Sequence, residues 1–226
     1  MTNASLLVRD SRFEPQRWIE PPQITLIPLS ELWALLASGT IVLVDSQYSD
    51  QRCFATLQAP ARGNRPQSAQ LRVLERVLLG ERQKSVAIDL GVSASTIAVA
   101  CETSLSAMGE HRSASRAFVL FAMALHSYHG LRLEPARLAI TENPSPECWT
   151  ISVERPDCEL PPCLTHVEKS VVRLMVEGRT HLEIAARRRV SPRTIANQLA
   201  SIFRKLGASG RSELVSHLVR RSSRSA

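Results

Sequence analysis

No stretch of this 226-residue chain approaches the roughly 18 consecutive apolar residues of a membrane helix, so no transmembrane segment is expected. The amino terminus, MTNASLLVRDSRFEPQ, has neither the basic start nor the apolar core of a signal peptide, which predicts a cytoplasmic protein. The five cysteines, Cys53, Cys101, Cys148, Cys158 and Cys163, are an odd number in a compartment that keeps thiols reduced, so structural disulfides are not expected. Cys158 and Cys163 bracket a Pro-rich turn as half of a zinc site, but no second Cys/His pair lies at ligand spacing, and free, partly buried thiols are the better reading. His126, His129 and His166 form no nucleophile, metal or phosphate-loop constellation with the Ser and Asp residues. Neither an enzyme nor a cofactor is expected.

Acidic residues are scarce in one part of the chain. Residues 164–226 hold 13 Lys/Arg against four Asp/Glu, a charge of +9, whereas the preceding 163 residues hold 15 against 17, or −2. A segment of about 60 residues that concentrates the positive charge has the electrostatic footprint of a polyanion binder, and duplex DNA is the expected partner.

The chain also carries an internal similarity. Shifted by 98 residues, GERQKSVAIDLGVSASTIAVACETSLSAMG (80–109) lies over GRTHLEIAARRRVSPRTIANQLASIFRKLG (178–207) without a gap, with eight identities in thirty. These fall at turn glycines, a helix cap and core positions, which is the pattern of a duplication. Each segment follows two short runs of alternating β-branched and aromatic residues, IVLVDS and RCFATLQ in one case, RLAIT and CWTISV in the other. Each pair reads as a β-hairpin, followed by a Pro-containing linker, PARGNRPQ or ERPDCELPP. LSELWALLASG (29–39) and SASRAFVLFAMALHSYHG (113–130) read as helices.

Helix boundaries are strongly marked in the second segment. Thr165 and Glu168 form a capping box ahead of VVRLMVEG, and Thr180 and Glu183 form another ahead of HLEIAARR. Ser191-Pro192 is an N-cap followed by proline at the first helical position, opening a third helix that runs to Gly207. Ile195, Leu199, Ile202 and Leu206 form its core stripe, while the opposite phase carries Arg193, Asn197, Ala200 and Arg204. A small, basic face that can hydrogen-bond suits the major groove, where Arg pairs with guanine and Asn with adenine. A fourth helix, RSELVSHLVR (211–220), has an apolar stripe at Leu214, Val215, Leu218 and Val219.

The run of Leu164-Thr165, Glu168, Val171, Thr180, Glu183-Ile184-Ala185, Val190-Ser191, Thr194-Ile195, Asn197-Gln198-Leu199, IFRKLG (202–207) and Glu213-Leu214-Val215 resembles the LuxR/GerE-type DNA-binding domain over about residues 164–220. The resemblance implies that the third helix enters the major groove and that Arg193, Thr194, Asn197, Arg204 and Lys205 lie at the DNA face. It further implies that Thr180 caps the scaffold helix and touches a phosphate, and that the fourth helix pairs two subunits of a homodimer. Two departures stand out. Ala196 occupies a position where the family usually has a basic residue, and Arg189 one where a turn glycine is usual. A left-handed Arg189 would cost on the order of 1 kcal/mol, which the Arg187-Arg188-Arg189 cluster could offset by contacting phosphate.

At the groove-facing phase the first segment has Ser95, Val99, Glu102 and Ser106, while its core positions Ile97, Cys101, Leu105 and Met108 remain apolar. It reads as a degenerate copy used for packing, dimerisation or contact with a protein partner through residues 1–163. The expected fold is therefore mainly α, with tandem helix-turn-helix four-helix domains each preceded by a short β-hairpin. The expected division is 1–66, 67–130, 131–163 and 164–226. The expected function is a sequence-specific DNA-binding transcriptional regulator, the alternative being an interaction module that sequesters another transcription factor. A phosphoryl-accepting receiver ending in Asp45 is disfavoured because no acidic pair precedes IVLVD. A sigma-like promoter reader would need a polymerase-binding domain that the sequence does not suggest.

Overall fold

The computed structural model describes residues 25–60, 65–109, 116–139 and 148–223. The amino-terminal stretch, residues 61–64 of the first linker, the start of the helix expected from 113 and the end of RLAIT lie outside the described residues. The elements are β1 (Thr25–Ile27), α1 (Leu29–Ser38), β2 (Val42–Tyr48), β3 (Arg52–Gln58), α2 (Ser68–Leu78), α3 (Gln83–Leu90), α4 (Ala94–Met108), α5 (Phe118–Tyr128), β4 (Ala136–Ala139) and β5 (Cys148–Glu154). They continue with α6 (His166–Val176), α7 (His181–Arg188), α8 (Pro192–Leu206) and α9 (Arg211–Ser222).

Both expected hairpin pairings occur, β2 with β3 and β4 with β5, but not as separate units. β3 pairs antiparallel with β5 from Arg52↔Glu154 to Gln58↔Cys148, giving one five-stranded sheet in the order β1-β4-β5-β3-β2. The expectation of one hairpin per helical domain is corrected here. An isolated two-stranded hairpin is marginal in water, and joining two of them pairs the edges that each would otherwise leave open. Alternation then sorts the faces: Cys53, Ala55 and Leu57 of β3 are buried, with Ile151 and Val153 of β5, while Phe54 and Thr56 point the other way and are only half-buried.

α2, α3 and α4 begin and end 98 residues before α6, α7 and α8, the same offset at which the two segments are similar. Ser93 caps α4 by accepting from the Thr96 N–H at 3.1 Å, and Ser191 caps α8 from the Thr194 N–H at the same distance. The closing glycines differ. Gly109 is extended and lies against β2, where a Cβ would stand 2.8 Å from the Leu43 carbonyl oxygen. Gly207 is left-handed and caps α8.

α5 is the central helix. Every residue from Phe118 to His126 is buried, because α1, α2 and α9 all pack on it. The apolar stripe of α9, Leu214, Val215, Leu218 and Val219, is buried against α2 and α5 of the same chain. The stripe is thus covered from within the chain. Among the described residues no single helix is long and apolar enough to cross a membrane. All five cysteines are free.

Where α5 meets α9, the buried His126 shares a 3.0 Å hydrogen bond with Ser216. Burial, with Arg220 and His129 nearby, lowers its pKa from 6.5 to about 4. The folded state therefore takes up the proton less readily than the unfolded chain, so the stability is complete above pH 6.5 and is lost as pH falls from there toward 4. Denaturant titrations should show a decline on the order of 2 kcal/mol over that interval, and a His126→Gln variant should remove most of it. An identical decline in the variant would assign the effect elsewhere.

Candidate nucleic-acid interface

The second helical unit is organised by its caps. Thr165 Oγ1 accepts from the Glu168 N–H at 3.2 Å, and Glu168 Oε2 accepts from the Thr165 N–H at 2.9 Å. Thr180 and Glu183 repeat the arrangement at the start of α7, with corresponding distances of 3.2 and 2.8 Å. Thr180 is exposed at that helix start, with its hydroxyl also donating to Glu183. Together with Ser191 and Pro192 at the start of α8, these groups satisfy amide donors that the first turn of each helix leaves open.

α8 presents two contrasting faces. Ile195, Leu199 and Ile202 are sealed in the core against α6 and α7, with Leu206 half-buried. Arg193, Ala196, Asn197, Ala200 and Arg204 are exposed. Thr194 is half-buried, with its hydroxyl 2.9 Å from Ser191 Oγ, so it supports the cap as well as facing the same groove. Asn197 and Thr194 line a shallow groove with Gln198, Ser201 and the amino-terminal turn of α6.

Lys205 is exposed and at the same time ion-paired to α6. Its Nζ lies 2.8 and 2.7 Å from the two carboxylate oxygens of Glu168, and Ser201 donates to the same carboxylate. The Lys205 ammonium, joined by the Thr165 N–H, keeps the Glu168 carboxyl at a pKa of about 2. Glu168 thus has a second role that a capping motif does not announce, since it bolts α6 to α8. The arginine cluster is likewise divided. Arg188 donates to Ser170 of α6 at 2.8 Å, whereas Arg187 and Arg189 are exposed.

The corresponding face of α4 is built differently. Ser95, Val99, Glu102 and Ser106 are exposed, and Ile88, Leu90, Val92 and Val99 leave large apolar surfaces in contact with solvent.

Residues 162–218 match the family model described as bacterial regulatory proteins, luxR family. Spore germination protein GerE of Bacillus subtilis is 39% identical over 59 residues, which cover 26% of this chain and 80% of that protein. The chain belongs to the LuxR family of bacterial regulatory proteins. Proteins designated HTH-type transcriptional regulators in Mycobacterium bovis and Mycobacterium tuberculosis are 45% identical over 60 residues. The chain spans only 7% of the length of these mycobacterial relatives. No solved structure matches the chain. The likeness to this LuxR family thus falls on α6 to α9, the part that carries the exposed face of α8.

Arg189 is the single non-glycine residue with positive φ among the described residues, at φ 54° and ψ 43°, and it ends α7 where Gly91 ends α3 at φ 64°. This left-handed geometry is what the turn demands of either residue. An Arg189→Gly variant should gain roughly 1 kcal/mol of stability from relief of the strained backbone. Thermal unfolding checks this, and an unchanged or lower midpoint would show that the arginine side chain stabilises the turn.

Proposed function

We propose that the protein is a sequence-specific DNA-binding transcriptional regulator in which α8 enters the major groove of duplex DNA. The observation that carries this reading is the exposed face of α8, where Arg193, Asn197 and Arg204 surround the small Ala196 and Ala200, with the opposite stripe fixed in the core. Arginine and asparagine are the side chains that form paired hydrogen bonds with guanine and adenine edges, and alanines leave room for the close approach. The +9 charge of residues 164–226 supplies attraction to phosphates. Thr180 and the exposed Arg187 and Arg189 would lie along the backbone, while Lys205 contributes by holding α6 to α8.

The upstream helices α2 to α4 are, in this reading, a degenerate copy of α6 to α8 that has kept the scaffold and lost the DNA chemistry. The common offset of 98 residues and the shared serine caps support the duplication. Val99 stands where α8 has Asn197, and Glu102 where it has Ala200, so the face offers a phosphate backbone no cation at these positions. A second reading, a module that sequesters another transcription factor, is favoured by the exposed Ile88 and Leu90 of α3, Val92 of the turn after it and Val99 of α4.

Selection from a pool of random duplexes with the purified protein tests the proposal. It should enrich a defined sequence, and affinity for that sequence should fall roughly tenfold or more between about 50 and 200 mM salt. Arg193→Ala and Asn197→Ala should each cost about 1–3 kcal/mol at the enriched site and relax base preference. Retention of wild-type specificity by both variants would remove α8 from the groove.

A further inference from the structure

α9 is buried more completely than its stripe requires. Leu214, Val215, Ser216, Leu218 and Val219 are each at most 2% exposed, and the helices that cover them, α2 and α5, lie upstream in the chain. The seat is shaped for this helix. Gly80, in the turn after α2, has φ +99°, and a Cβ there would stand 2.8 Å from Ser216 Cβ. Glycine against serine is what allows the turn and the helix to approach so closely.

Polar groups in the seat are matched as well. Ser216 Oγ donates to the Leu79 carbonyl oxygen at 2.9 Å, which leaves it to accept from His126 Nε2 at 3.0 Å. Arg220 also donates to the Leu79 carbonyl oxygen, at 3.3 Å. Arg82 lies 3.7 Å from Glu213, and the Arg211 guanidinium sits 5.3 Å from the centre of the Phe118 ring. The exposed side of α9 carries Arg220 and Arg221, a basic surface that repels a second copy of itself.

We propose that the upstream part of the chain is the partner of α9, so that each molecule closes this interface on itself and engages DNA as one chain per site with one reading helix. The helices that cover α9 are α2, in the upstream unit, and α5, which lies between the upstream unit and β4 in the chain. The apolar stripe of α9 is in this way closed inside one polypeptide. The stoichiometry rests on the DNA-reading role proposed above, whereas the capture of α9 does not.

Hydrogen exchange and native mass spectrometry on the full chain test both parts. Intramolecular capture makes amide protection in α9 independent of protein concentration. Gly80→Val should lower that protection at least tenfold while α8 keeps its own, because the valine collides with Ser216 and lies outside the reading unit. Ser216→Ala, which retains the steric fit and removes both hydrogen bonds, should lower it about threefold and serves if the valine variant does not fold. On the duplex enriched from the random pool, one chain per site is expected. Protection of α9 that rises with concentration, or is unchanged in both variants, would overturn the capture. Two chains per site, or a dimer dispersed by Arg221→Glu or Val99→Asp, would overturn the stoichiometry. Should no duplex be enriched, the DNA-reading role fails together with the stoichiometry, and the exchange data still decide the capture.

Discussion

The position of α6, on which α8 packs, depends on the guanidinium of Arg155. This side chain, in the linker between β5 and α6, is buried, and it forms a two-pronged bond to Asp157 at 2.9 and 2.8 Å. Its remaining donors reach the Ser49 carbonyl oxygen in the β2–β3 turn at 2.7 Å and Glu177 at the end of α6 at 3.3 Å. The ring of Tyr48 lies 5.3 Å beneath it. A planar fork can hold three chain segments in one geometry, which a lysine ammonium cannot do. A charge buried this deeply is tolerable only while its partners stay in place, so sheet, linker and α6 are fixed together or not at all.

From that anchor the order runs outward. α6 is set by Arg155 at its carboxyl end and by the Thr165 capping box at its amino end, and Glu168 passes the constraint to α8 through Lys205. The exposed face of α8 is thus held by bonds internal to the chain. Arg193 and Arg204 are exposed on the same helix as Asn197. α4, 98 residues earlier in the chain, is tied to the sheet instead, where Gly109 meets Leu43.

How much of this was legible in the sequence follows the range of the interactions. α1, the capping boxes, the Ser191-Pro192 start and the stripe of α9 are local patterns, and each appears where the sequence puts it. The left-handed Arg189 was legible because Gly91 holds the same place in the upstream segment. The single sheet was not, since the edge pairing of β3 with β5 joins segments about a hundred residues apart and leaves no local mark. β1, three residues long, is too short for alternation to show. The stripe of α9 announced that something must cover it without saying what. For the site, the exposure of Arg193, Asn197 and Arg204 follows from helical phase, but the Lys205–Glu168 bond depends on how α6 crosses α8, which spacing along the chain does not encode.

The β3–β5 ladder also orders events in time. Gln58 pairs with Cys148, so β3 leaves the ribosome about 90 residues before its partner strand exists. At about 5–20 residues per second, that edge waits roughly 5–20 s during synthesis. An unpaired strand edge with buried-face residues such as Leu57 invites pairing with another nascent chain. The helices α2 to α5, which are made in this interval, are built from local contacts and fold quickly. Of these helices α4 packs on β2, so the first hairpin gains a helical neighbour before β5 is made.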